Sequence, residues 1–199
     1  PGGAEDFKHG GWSFEISRGD EGDRFKLDET MASDALLLGR VTYDGFAKAW
    51  PSRDGEFADR FNSMPKYVVS STLKDPEWNN TTVLEGDLAD EVAELKEKYT
   101  GDIVVHGGAR LVQTLLEKDL VDELRLMVFP LVLGSGKRLF GELSDKKRLR
   151  LRDSKVVGDG VVSVPARRLV AGAAMAVVGP AVLSCRRRCD RRQRGDQRD

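Results

Sequence analysis

The chain has 199 residues, of which 40% are hydrophobic and 7% aromatic. This length suits one domain with a sizeable core, and the composition excludes a disordered chain. The formal net charge of -1 is unevenly distributed: residues 164–199 hold nine Arg and three Asp, which leaves -7 for residues 1–163. An acidic body argues against general nucleic-acid binding.

The cysteine content and the apolar segments bear on location. Cys185 and Cys189 both lie in the basic tail, and a body without cysteine suits the reducing cytoplasm. The pair lacks a second set of ligands, so we expect no metal site. Residues 1–6 have no signal-peptide pattern. Residues 169–183, an apolar stretch interrupted by Gly and Pro, are too short to span a bilayer, which takes about 20 residues.

The pattern of apolar and polar residues predicts alternating helices and strands. Helices are predicted over residues 25–32, 42–49, 56–63, 87–99 and 109–118. Strands are predicted over residues 35–38, 67–71, 81–84, 103–105, 123–128, 149–157 and 161–164, the last two joined by a hairpin turn at 158–160. This order predicts an α/β fold with a mostly parallel central sheet and an antiparallel C-terminal edge.

A first candidate site follows the predicted strand at residues 35–38. Gly39 lets a ligand approach the backbone, Arg40 supplies a positive charge, and Thr42 either caps the next helix or binds a phosphate oxygen. In open α/β sheets, ligands bind beyond the carboxyl ends of the strands, where helix N-termini present free N–H groups. An ordinary strand-to-helix turn accounts for the same residues, so both interpretations stay open.

A second candidate site repeats this arrangement at Gly107, Gly108 and Ala109. Two adjacent glycines leave room for a pyrophosphate on the backbone, although a glycine turn for tight helix–sheet packing fits equally well. Ser70 and Ser71 end the strand between the two sites, where they either bind a ribose or its 2′-phosphate or merely terminate the strand. A proton-donor role for His106 is weaker, because a lone His at a strand end is more often structural.

Taken in order, these motifs resemble the dihydrofolate reductase-like family. The resemblance is carried by Gly39-Arg40-x-Thr42, Val68-Val69-Ser70-Ser71, Gly107-Gly108-Ala109-x-Leu111, Leu120-Val121-Asp122-Glu123-Leu124 with Pro130, and Leu133-Gly134-Ser135-Gly136-x4-Phe140. It covers residues 1–163 and is closest to stand-alone bacterial members similar to the reductase domain of riboflavin biosynthesis. It implies a three-layer dihydrofolate reductase-like fold and NADPH as the cofactor.

The resemblance also assigns roles to residues. It places Gly39, Arg40 and Thr42 beside the cofactor phosphates, Ser70 and Ser71 near the adenosine end, and the stretch Gly107, Gly108, Ala109 and Leu111 at the pyrophosphate. It further implies a cis peptide bond between the paired glycines, although such bonds are costly outside proline.

The substrate end of the site is less defined. Trp12 resembles the end of a mobile loop that closes over the nicotinamide. Glu21 and Asp23 lie in the region of the family's substrate-binding carboxylate, but the spacing selects neither, and a solvated acidic helix start explains both. The proton donor therefore stays unassigned.

Both ends of the chain depart from the family pattern. Family members usually open with an apolar strand inside the sheet, whereas Pro1-Gly2-Gly3 comes just after that position. We therefore expect an exposed edge on a neighbouring strand. Residues 164–199 form a basic tail that is atypical for the family, and we expect it to be disordered. These departures indicate either a truncated start with a foreign or frame-shifted end, or a variant with a basic extension.

The sequence thus predicts an NADPH-dependent reductase of a small pterin-like or pyrimidine-like heterocycle, located in the cytoplasm. The alternatives are a nucleotide-binding module without turnover and an inactive fragment of such a reductase. The expected partner is a small-molecule substrate, with no nucleic acid and no membrane. Relatives commonly dimerise, and residues 124–129, predicted to lie at the antiparallel edge, are the surface that we expect a homodimer to use.

Overall fold

The architecture follows from one strand whose side chains are buried on both faces of the sheet. In a computed structural model of the chain, which describes residues 7–168 and 175–181, Ala35 and Leu37 pack against helices on one face of the central sheet. Leu36 and Leu38 of the same strand pack against helices on the other face. A strand that is apolar on both sides needs a helical layer on each side. The expected three-layer α/β fold is confirmed.

The helices and strands follow each other in the predicted order. The helices are α1 (Gly19–Met31), α2 (Arg40–Ala49), α3 (Glu56–Ser63), α4 (Leu88–Lys98) and α5 (Ala109–Glu117), and residues Trp12–Phe14 form a 3-10 turn. The strands are β1 (Ser33–Gly39), β2 (Lys66–Val69), β3 (Thr81–Leu84), β4 (Asp102–His106), β5 (Glu123–Val128), β6 (Leu149–Leu151), β7 (Lys155–Val157), β8 (Val161–Arg168) and β9 (Met175–Ala181).

All of these strands belong to one sheet, in the order β3-β2-β1-β4-β9-β5-β8-β6, with β7 also paired to β8. The strands from β3 to β5 in this order run parallel, and β8 is antiparallel to β5, β6 and β7. Helices α4 and α5 cover one face, and α2 and α3 cover the other. The expected parallel centre and antiparallel C-terminal edge are therefore present.

Helix α1 is longer than the predicted segment 25–32, because it begins at Gly19. Asp20 and Glu21 occupy its first turn, where carboxylates favour the positive end of the helix dipole. Gly22 packs closely against β7, since a Cβ atom there would lie 3.2 Å from Val157 Cγ2. The absence of a side chain at this position therefore allows α1 to pack against β7.

Strand β8 continues past residue 164, through Pro165 to Arg168. The Pro165 carbonyl accepts a hydrogen bond from Arg152 N at 2.9 Å, on the side of β8 that faces away from β5. In a strand the N–H and the C=O of one residue point to the same side, so the missing N–H of Pro165 falls in the gap between β6 and β7. No hydrogen bond to β5 is lost.

Strand β9 corrects three expectations. It lies between β4 and β5 and is parallel to both, so the expected exposed strand edge is covered. Because β5 has β9 on one side and β8 on the other, residues 124–129 do not form an edge for a homodimer. The sheet also includes residues beyond 163, the expected end of the domain. The remaining tail residues, including Cys185 and Cys189, and residues 1–6 lie outside the described part of the chain.

A truncation tests whether β9 is an integral strand. A protein that ends at Arg168 leaves β4 and β5 unpaired on their facing sides, so we expect it to lose its cooperative thermal unfolding and to bind a hydrophobic dye. A protein that ends at Ala181 keeps every described strand, and its unfolding midpoint should stay within about 2 °C of the full chain, a change of less than about 1 kcal/mol. Native-like unfolding of the shorter protein would contradict the placement of β9.

Lys66, the first residue of β2, is fully buried. Its Nζ atom donates hydrogen bonds to the carbonyl oxygens of Asn62, Met64 and Asn79, at 2.6, 2.8 and 3.0 Å. The ammonium group also lies 4.5 Å from the centre of the Trp78 ring. Burial lowers the pKa of Lys66 from 10.5 to about 8. The side chain ties the end of α3 to the turn before β3.

This pKa shift predicts how stability depends on pH. Below pH 8 the folded protein bears the cost of a buried charge, and between pH 8 and 10.5 folded Lys66 releases its proton before the unfolded chain does. The unfolding free energy of the natural protein minus that of Lys66→Met should therefore rise by about 3 kcal/mol from pH 7 to pH 10.5. Chemical denaturation across this range measures the difference.

Candidate functional site

The candidate site lies at the carboxyl ends of the parallel strands. Because β1 is hydrogen-bonded to both β2 and β4, the ends of these strands are neighbours. Helices α2 and α5 begin directly at this edge, after Gly39 and Gly108. The two motifs that the sequence suggested separately therefore meet in one place, where an open α/β sheet binds its ligands.

The contacts between the two motifs are close. A Cβ atom built on Gly108 would lie 3.3 Å from Thr42 Oγ1, and one on Gly39 would lie 3.6 Å from Leu111 Cβ. Neither helix has a side-chain cap at its start. Thr42 is the third residue of α2. It therefore does not cap this helix, which was one of the two roles that we considered for it. The first-turn N–H groups of α2 and α5 are therefore directed toward this edge of the sheet without a capping side chain.

The glycine turn differs from the expected geometry. The Gly107–Gly108 peptide bond is trans, since the described residues contain no cis peptide bond. Both glycines have positive φ values, 71° and 75°. Two successive left-handed residues turn the chain from β4 into α5, and only glycine adopts this conformation at low cost.

A cavity of about 460 Å³ lies beside this edge, at the ends of β2 and β3. Its lining residues are Arg40, Val69, Ser70, Ser71, Thr72, Leu84, Glu85 and Gly86. The structure thus brings Arg40 together with both predicted serines. The Ser70 Oγ atom accepts hydrogen bonds from the N–H groups of Thr72 and Leu73, at 3.2 and 3.0 Å. Its hydroxyl proton remains available to a ligand.

Arg40 has a partner that the sequence analysis did not name. Its Nε atom donates to both carboxylate oxygens of Asp44, at 2.8 and 2.9 Å. The two residues lie one helical turn apart, and both side chains are partly exposed. The spacing of four residues was the available signal, because oppositely charged residues at this distance meet on a helix surface. Glu85 was also missed, and its position directly after β3 was the signal.

The candidate acids on α1 are not in the cleft. Glu21 is exposed and forms an ion pair with Lys155, and Asp23 is exposed and pairs with Arg18 at 2.6 Å. Exposed ion pairs of this kind are typical of a solvated acidic helix start. The buried carboxylate of α1 is instead Glu29, and burial raises its pKa.

Glu29 lies near the amino ends of the parallel strands, at the opposite end of the strands from the candidate site. It faces Arg125, which binds Asp102, the first residue of β4, at 2.6 Å. Arg125 also binds Glu123, the first residue of β5, at 2.8 Å. Since the candidate site lies at the last residues of these parallel strands, the buried charge cluster belongs to the core and not to the site.

Trp12 is a core residue, and His106 is partly buried at the end of β4. The His106 ring packs edge-on against Phe61, with 5.2 Å between the ring centres, and burial lowers its pKa well below the usual range. It is neutral at pH 7, so it carries no proton to donate as an imidazolium. The Trp12 ring is buried and packs edge-on against Phe129, at 5.2 Å. In this structure Trp12 closes a hydrophobic cluster and does not cover an open cleft.

The described residues contain neither a metal-binding cluster nor a membrane-spanning helix. Nowhere in ranges 7–168 and 175–181 do three His, Cys, Asp or Glu side chains come together as a metal-binding group. Among the helices in these ranges, none is long and apolar enough to cross a lipid bilayer. A second cavity, of about 500 Å³, lies near the beginnings of β2 and β3, with Glu77 as its charged lining residue.

Comparison with known proteins identifies relatives of this chain. The family model described as the RibD C-terminal domain matches residues 7–163. The Bacillus subtilis (strain 168) protein YyaP is 31% identical over 136 residues, which cover 66% of this chain and 72% of YyaP.

Two solved structures extend the comparison. A protein from Shewanella sp. PV-4, named for riboflavin biosynthesis, is 26% identical with a TM-score of 0.68, and the match covers 80% of this chain and 87% of that one. RibD from Acinetobacter baumannii is 17% identical with a TM-score of 0.56, and the match covers 77% of this chain and 51% of that one. At that identity, the second similarity concerns the fold alone.

Proposed function

The chain belongs to the family of RibD C-terminal domains, a family of reductases, and we propose that it transfers a hydride from NADPH to a small pterin-like or pyrimidine-like heterocycle in the cytoplasm. The observation that carries the proposal is the meeting of Arg40, two serines and two uncapped helix starts at one edge of the sheet. Positive charge and free N–H groups together suit a phosphate-bearing dinucleotide.

The residues present fit such a cofactor. The Gly107–Gly108 turn has no side chains, and a methyl group on Gly108 would crowd Thr42 Oγ1 at 3.3 Å. The pyrophosphate would rest on this turn and on the start of α5, where Ala109 and Leu111 follow. Arg40, Ser70 and Ser71 would hold the adenosine end in the cavity beside β2. When bound, the nicotinamide supplies the hydride, and the protein orients it.

A second candidate function is dinucleotide binding without turnover. It is favoured by the state of the candidate acids: Glu21 and Asp23 form exposed ion pairs, and the partly buried His106 has a lowered pKa and is neutral at pH 7. The two carboxylates of α1 are therefore not placed to protonate a heterocycle bound in the cleft. A screen of pterins and aminopyrimidines for NADPH oxidation separates the two functions, because saturable binding without oxidation of any of them would favour the second.

The cofactor site is tested by Arg40→Ala. A hydrogen bond between charged groups contributes about 1.5–3 kcal/mol, so the substitution should weaken NADPH binding ten- to hundredfold. Titration of nicotinamide fluorescence measures this change. Arg24→Ala is the matched control, because Arg24 also donates through Nε to an Asp four residues later, Asp28, on the exposed face of α1. Equal affinity in both variants, or no binding by the folded natural protein, would contradict the proposal.

A homodimer, which the resemblance implies, is also part of the proposal. In the structure, residues 124–129 do not lie at an edge of the sheet. The strands β6 and β7, at the antiparallel edge, carry the exposed side chains Leu151 and Val156 instead. Light scattering coupled to size exclusion should give about twice the mass of 22.0 kDa. A monomer at all concentrations tested would end this part of the proposal.

A further inference from the structure

The charged groups that line the cavity beside β2 lie on two sides of it. Arg40 follows β1, Ser70 and Ser71 follow β2, and Glu85 follows β3. Because β2 lies between β1 and β3, and neighbouring strands are about 4.8 Å apart, the cation and the carboxylate follow strands that are about 10 Å apart. The cavity therefore has a cationic side and an anionic side, with the two serines between them.

The Glu85 carboxylate is available to a ligand. In the described part of the chain it has no hydrogen-bond partner and no ion-pair partner, and the residue is exposed. Arg40 is held by Asp44 through its Nε atom, which leaves the outer guanidinium nitrogens for a ligand. Each side of the cavity thus has one charged group that a ligand can reach.

Two other carboxylates near the end of β3 have partners of their own. The Glu91 carboxylate accepts a hydrogen bond from Gly86 N at 3.0 Å. Asp87 caps α4 by accepting a hydrogen bond from Ala89 N at 2.7 Å. Neither of them lines the cavity, so the anionic side of the cavity is formed by Glu85.

An apolar surface adjoins Glu85. Val69 and Leu84 are paired across β2 and β3, and both line the cavity. Paired residues on neighbouring strands point to the same face of a sheet, so these two side chains form one surface. They also belong to the core cluster that the sheet shares with α4 and α5, which keeps them in place. A flat aromatic ring that covers this surface has its edge beside the Glu85 carboxylate.

Adenine has the chemistry that this arrangement requires. Its aromatic faces suit an apolar surface, and its exocyclic amine donates hydrogen bonds, whereas a carboxylate only accepts them. Hypoxanthine has almost the same shape but carries a carbonyl oxygen in place of the amine, and a carboxylate repels that oxygen. A site that forms a hydrogen bond to an N–H group rejects an analogue that lacks it.

We propose that Glu85 selects the adenine base of the coenzyme: its carboxylate accepts a hydrogen bond from the exocyclic amine, the ring covers Val69 and Leu84, and the 2′-phosphate lies on the side of Arg40. The inference rests on the proposed function, because it assumes NADPH in the cavity. It agrees with a phosphorylated coenzyme, since the phosphate and Glu85 lie on opposite sides of an exposed cavity, where salt at about 0.1 M screens charges about 10 Å apart.

The test compares NADPH with reduced nicotinamide hypoxanthine dinucleotide phosphate, which differs from NADPH in the base alone. Titration of nicotinamide fluorescence gives the two dissociation constants. We expect the natural protein to bind NADPH about fivefold or more tightly than the hypoxanthine analogue. In Glu85→Gln the two dissociation constants should agree within about twofold, because an amide group both accepts from the amine and donates to the carbonyl oxygen.

Glu77→Gln is the matched control. Glu77 is also an exposed carboxylate, but it lines the second cavity, near the beginnings of β2 and β3. Its substitution removes the same charge from the surface and should leave the ratio of the dissociation constants within about twofold of the natural value. Thermal unfolding of both variants checks that the fold is retained, as expected for two exposed positions.

The outcomes separate the two proposals. If the natural protein binds NADPH but prefers it to the analogue by less than about fivefold, the role of Glu85 is overturned and the reductase proposal stands. A preference that does not fall in Glu85→Gln, or that falls equally in Glu77→Gln, has the same consequence. No binding of NADPH by the folded natural protein overturns both proposals.

Discussion

The hydrogen bonds of β9 to β4 and β5 join the two halves of the sheet. On one side lie β3, β2, β1 and β4, which end at the phosphate-binding candidates. On the other side lie β5 and the antiparallel strands, which pack against Trp12 and Phe129. Without the central strand, β4 and β5 would each present an unpaired edge, and the two halves would share no backbone hydrogen bond in the described sheet. The joining of the two halves therefore depends on β9, which comes last among the described strands.

This dependence explains which parts of the fold could be predicted. The bounds of α3, β3 and β5 agree with the predicted segments 56–63, 81–84 and 123–128, because their periodicity is local. Strand β9 could not be predicted in the same way. It contains Gly179 and Pro180, which are unfavourable in a central strand, and its partners are more than 50 residues away. The strand forms despite these local preferences, because it pairs with the otherwise open edges of β4 and β5.

The candidate site shows the same division. Gly39, Arg40 and the paired glycines could be located from the sequence because strand ends and helix starts have local signatures. The cavity could not, because it requires Val69 of β2 to lie opposite Leu84 of β3, a register that places Glu85 beside the serines. The surroundings of the acids on α1 also depend on the tertiary structure. Their sequence position is right for a substrate site, but α1 turns Glu21 and Asp23 toward Lys155 and Arg18, at the surface.

The backbone and the side chains of this site have separate tasks. In the proposed function, the helix starts and the glycine turn bind a pyrophosphate through N–H groups, and every nicotinamide dinucleotide carries that group. Backbone binding of this kind cannot distinguish one dinucleotide from another, because the distinguishing phosphate lies on the ribose. Discrimination must come from side chains that line the cavity at the ends of β2 and β3, among them Arg40 and Glu85. An exchange of Glu85 alters the charge there without disturbing the sheet, since this residue is exposed and follows the last residue of its strand. The backbone of the site can thus stay the same while the charge of the cavity changes.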